Sequence, residues 1–73
     1  MAPDSQSMRT PDQILQKALE KERQSRAFYA GLAADCSVVF VRELLEKLQN
    51  EESKHVLMIE KMMARLESGR DVI

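Results

Sequence analysis

The sequence predicts an all-α fold, an antiparallel two-helix hairpin that dimerises into a four-helix bundle. Three observations carry this. Helix-forming residues dominate the 73-residue chain, which holds only two Gly, two Pro and three aromatics. Two long stretches repeat apolar residues at alternating spacings of four and three, the signature of an amphipathic helix face. A single short run, Asp35-Cys36-Ser37, interrupts that pattern with residues that favour turns and caps.

Residues 1–9 show no periodicity and read as a flexible N-terminal arm. Thr10-Pro11-Asp12-Gln13 is a helix start. Thr10 can cap, Pro11 suits the first helical position, Gln13 completes a capping box, and Asp12 favours the helix dipole. From there the seam runs Leu15, Ala18, Glu22, Ser25, Tyr29 and Leu32, so the first helix is expected over about 11–34. The second seam runs Val41, Leu45, Leu48, Glu52, His55, Ile59, Met62 and Leu66. Ser68-Gly69 is its expected stop, giving a helix over about 38–68. The hairpin is thus placed at residues 10–69, with 70–73 as a C-terminal tail.

A connection this short makes the helices antiparallel neighbours. Leu19, Phe28, Phe40, Leu44, Met58 and Met63 flank the two seams and widen the apolar face beyond a two-stranded zipper. A hairpin buries only one stripe per helix. A core of this size supplies about 3–5 kcal/mol and needs a metal, disulfides or self-association beside it. Cys36 is the only cysteine, which removes disulfides within the chain and any Cys-rich metal site. A homodimer, or a higher homo-oligomer, is therefore expected.

Net charge is −1, with 11 basic and 12 acidic residues interspersed. That distribution shows neither a nucleic-acid footprint nor a membrane anchor. With a lone thiol, no secretory apolar segment and no membrane-length run, a cytoplasmic location is expected.

Three seam positions carry ionisable groups where Leu is the ordinary occupant: Glu22, Glu52 and His55. Glu52 and His55 have the Glu-x-x-His spacing that stacks a carboxylate and an imidazole one turn apart. The midpoint of positions 22 and 52 is 37, inside the turn, so Glu22 lies level with Glu52 across an antiparallel hairpin. Ionisable groups on an apolar seam are costly without a compensating charge, and a divalent metal supplies one. Under two-fold symmetry the dimer offers four carboxylates and two imidazoles, and the carboxylates balance two divalent cations. Hard oxygen donors with limited imidazole suit Fe, with Mn or Zn as alternatives. The competing reading is a helical interaction module whose polar seam residues set register, as a buried Asn does in coiled coils.

The stretch Glu22-Arg23-Gln24-Ser25-Arg26-Ala27-Phe28-Tyr29, followed by Ala30-Gly31-Leu32-Ala33, resembles the rubrerythrin branch of the ferritin-like superfamily. So does Leu45 through Glu51-Glu52-Ser53-Lys54-His55, and the resemblance covers residues 14–66. It implies that Glu22, Glu52 and His55 are iron ligands, two Fe per dimer, and that Tyr29 lies beside them. At that position Tyr29 is a candidate hydrogen-bond partner of a ligand carboxylate or a redox-active phenol. It also implies O2 or peroxide as oxidant, and an external electron donor if the reaction is peroxide reduction. The chain departs from the full family pattern in having two helices instead of four and no rubredoxin module. It is more similar to single-hairpin members, including encapsulated-ferritin-like proteins, that complete the site by association. The further carboxylate of rubrerythrins has no counterpart, since Leu48 and Gln49 occupy the turn before Glu52. Glu20 and Glu51 are candidates for a carboxylate-lined approach to the metals, and equally for plain surface positions.

Overall fold

The computed structural model describes residues 9–72, with side chains through Gly69. Apart from Arg9, the expected N-terminal arm lies outside the described residues. Two helices make up the described chain: α1, Pro11–Asp35, and α2, Val39–Val72.

The start of α1 forms as its residues dictate. The Gln13 amide donates to Oγ1 of Thr10 at 3.2 Å, and the Thr10 amide donates to Oε1 of Gln13 at 2.9 Å. This reciprocal pair satisfies two of the donors that a helix start leaves open, and Pro11 removes another. At the other end Cys36 turns out of the helix in an extended conformation, its amide bonded to Ala33 O at 3.2 Å. Three residues, Cys36–Val38, then reverse the chain. The helix α2 continues past Ser68-Gly69 to Val72. Gly69 lacks the positive φ of a C-cap glycine and stays helical, because one glycine weakens a helix by about 1 kcal/mol without ending it.

The two helices pack against each other along one stripe each, forming a single layer. Leu19, Ala33 and Val56 are its buried apolar residues, with Leu15, Leu45, Leu48, Ile59, Met63 and Leu66 half-buried around them. The contact line is therefore rotated by about one residue from the expected seam. Leu19 and Met63, expected on the flanks, point inward, while Leu32, Val41 and Met62 are exposed. The reason is geometric. A four-three spacing marks a stripe broad enough for two neighbours, and a lone hairpin covers only its inner half. Arg23 closes one side of the hairpin, its guanidinium 3.0 Å from Oε2 of Glu60. On the other side the apolar residues Phe28, Leu32, Phe40, Leu44, Met58 and Met62 remain uncovered.

Candidate metal centre

The two helices bring Glu22, Glu52 and His55 together at mid-hairpin. One ligand atom from each lies within 4.8 Å of the others, the spread of a group able to hold a metal ion. Nδ1 of His55 is 2.9 Å from Oε1 of Glu22 on the facing helix and 3.4 Å from Oε1 of Glu52 one turn earlier. The side chains are 25% exposed for Glu22, 19% for Glu52 and 48% for His55. Both carboxylates thus sit in the contact, whereas the imidazole stands at its rim. Val56 takes the inward position beside it. Val56 is legible from its own spacing, eleven residues after Leu45 and seven before Met63, but the adjacent Glu-x-x-His motif draws the expected seam through His55.

The electrostatics of the three groups are mutual. A hydrogen bond with Glu52, then one with His55, holds the Glu22 carboxyl below its ordinary range. The same bond with Glu22 holds Glu52 above its ordinary range, with burial and the Glu22 charge acting in the same direction. The bond to Glu22 also raises His55, against a smaller opposing effect of burial. The pair thus favours negative charge on Glu22 over Glu52, and the two carboxylates favour the charged form of His55. Two acids and a base crowded together in this way offset one another's charge. A divalent cation does the same with its own charge, and the donor set of two hard oxygens and one imidazole fits iron or manganese chemically. The fit is partial in number. Three donor residues fall short of the four carboxylates and two imidazoles of a two-metal bundle centre.

Tyr29 lies two turns beyond Glu22 on α1, about 10 Å along the axis. It is half-buried, its ring packed edge-on against Phe28 with centroids 5.5 Å apart. Glu20 and Glu51 face lysines on their own helices, Glu20 with Lys17 at 4.0 Å and Glu51 with Lys54 at 3.4 Å. A shallow hollow near the start of α1 is lined by Arg9, Gln13, Gln16, Lys17 and Glu20, apart from the three donors. Among the described residues no helix is long and apolar enough to cross a membrane.

Comparison with known proteins places the chain in a family. The family model for rubrerythrin matches residues 13–73, nearly the whole chain. No curated protein and no solved structure gives a match.

Proposed function

From the premise that this chain belongs to the rubrerythrin family, we propose that it is a non-haem di-iron protein. It oxidises Fe2+ with O2 or peroxide at a centre shared between two copies of the chain. The observation that carries this is the convergence of Glu22, Glu52 and His55 from two helices, in a family built on carboxylate-bridged iron. When bound, a pair of irons supplies reversible Fe2+/Fe3+ cycling and open positions for the oxidant.

The chain's own residues supply the rest. Glu22, held low by its hydrogen bonds with Glu52 and His55, is the readier of the two carboxylates to act as an anionic donor. Glu52 would supply the second carboxylate, and its raised proton affinity would set a proton in competition with the metal there. His55 would bind as the neutral imidazole, so its raised proton affinity would likewise set a proton in competition with the metal. Exposure of His55 leaves its side of the cluster open to small oxidants and to incoming Fe2+. Ser25, one turn from Glu22, keeps the neighbouring volume small.

The test is anaerobic reconstitution with Fe2+ followed by native mass spectrometry. About two irons per dimer are expected, with loss of both in Glu52→Ala and His55→Ala. Absorbance changes on adding O2 or peroxide then separate the two oxidants. A protein that takes up no iron at all would overturn the reading.

A further inference from the structure

The imidazole of His55 has two nitrogens, and the hairpin engages one of them. Nδ1 faces the carboxylates, 2.9 Å from Oε1 of Glu22 and 3.4 Å from Oε1 of Glu52. A proton held on Nδ1 and donated to Glu22 leaves the lone pair on Nε2, at the far edge of the ring from both acids. A carboxylate bonded to one ring nitrogen is the arrangement that orients a histidine to ligate metal through the other. The side chain is 48% exposed, so the ring stands open at the rim of the helix contact.

The ridge that His55 begins carries soft donors. Met58 and Met62 follow it at spacings of three and four, and all three lie within about 60° of arc on α2. Both thioethers are uncovered, Met58 at 66% and Met62 at 44% exposure. Helical side chains lean toward the preceding turn, which carries Met58 toward His55 and Met62 toward Met58. The unbranched methionine side chain is flexible enough to bring both sulfurs beside the imidazole. Packing within the hairpin does not use these two residues, whereas Met63 turns into the helix contact.

We propose that Nε2 of His55 and the sulfurs of Met58 and Met62 form a separate metal site, for Cu+. Thioether and imidazole donors select Cu+, whereas the hard cations suit Glu22 and Glu52. All three donors are neutral, which fits a monovalent ion, and the neighbouring carboxylates place negative charge close to it. The site does not rest on the iron reading, because it uses the opposite edge of the ring. The two metals nevertheless exclude each other. A neutral imidazole offers one lone pair, so His55 serves Cu+ through Nε2 or iron through Nδ1. Cu+ is thereby an inhibitor of iron loading.

Anaerobic titration of the 73-residue chain with Cu+ under ascorbate, against the coloured chelator bicinchoninate, tests this. Cys36→Ser is the background throughout. It removes a thiol that would take Cu+ itself, and one that lies more than about 20 Å along the axis from His55. Met58→Leu and Met62→Leu conserve volume and remove the sulfur, and Met63→Leu is the control. The affinity for Cu+ should fall more than about tenfold in each ridge variant and stay unchanged in Met63→Leu. Copper K-edge absorption should show mixed sulfur and nitrogen ligation. Saturating Cu+ should block Fe2+ uptake by the parent protein but not by the doubly substituted Met58→Leu, Met62→Leu chain. Absence of Cu+ binding overturns the proposal, as does an affinity indifferent to both ridge variants or copper without sulfur ligands. The two readings fail separately. Cu+ bound by a chain that takes up no iron leaves this site standing and removes the di-iron centre. Iron bound by a chain that takes no Cu+ does the reverse.

Discussion

His55 and Glu22, 33 positions apart in the chain, meet at 2.9 Å through Nδ1 and Oε1. This contact ties the two helices together at the height where the donors converge, and it makes the metal-free hairpin sensitive to pH. Glu22 is held low, so its contribution to stability is present above the ordinary carboxylate range and is lost as pH falls through its lowered value. Glu52 and His55 are held high, so their contributions are present at lower pH and are lost as pH rises through their raised values. Metal-free protein should therefore be most stable in mildly acidic solution, with losses on both sides. Melting followed by circular dichroism from acid to alkaline pH measures this, and a flat profile would count against the coupling.

Metal reverses the upper limb of that profile. Uptake displaces the protons of Glu52 and His55, so affinity for Fe2+ or Zn2+ should rise with pH across the window where those groups titrate. Titration calorimetry in buffers of different ionisation enthalpy reads the released protons directly.

Glu22→Leu separates the metal centre from a register-setting role. As a ligand, Glu22 is required, and its replacement abolishes metal binding together with any chelator-sensitive part of the melting temperature. As a seam residue that only sets register, its replacement raises stability and leaves the response to chelators unchanged. The two outcomes have opposite signs in one melting experiment.

Val56→Ala removes apolar volume from the helix contact and should cost about 1–3 kcal/mol, whereas Leu57→Ala should cost under about 0.5 kcal/mol. Urea unfolding of the metal-free protein distinguishes them. Equal effects at 56 and 57 would mean the helices pack through another stripe.

The cap of α1 is a separate, local contribution. Thr10→Ala breaks the reciprocal pair with Gln13 and should destabilise by about 1 kcal/mol. Metal stoichiometry should be unchanged in this variant, because Glu22 lies three turns further along α1.

Much of this is legible in the residues. Thr10-Pro11-Asp12-Gln13 marks the helix start because capping depends on near neighbours alone. The meeting of Glu22 with Glu52 and His55 comes from counting outward from the turn, since antiparallel helices advance at equal rates. The rotation of the contact line is less visible. Leu19 and Val56 sit next to Ala18 and His55, and a spacing pattern cannot choose between adjacent ridges when both are apolar or functional. Ser68-Gly69 misleads as a stop because glycine ends a helix only when its φ turns positive, and at Gly69 it does not.

The three-residue connection between Asp35 and Val39 governs the tempo of assembly. Helices of this kind form within about a microsecond, and loops of a few residues close faster still. The hairpin can thus be complete long before two molecules have met. Where two copies make the centre, encounter is the slow step, and it is second order in protein. Doubling the concentration halves the waiting time, so the cell's rate of synthesis sets how quickly the pool matures.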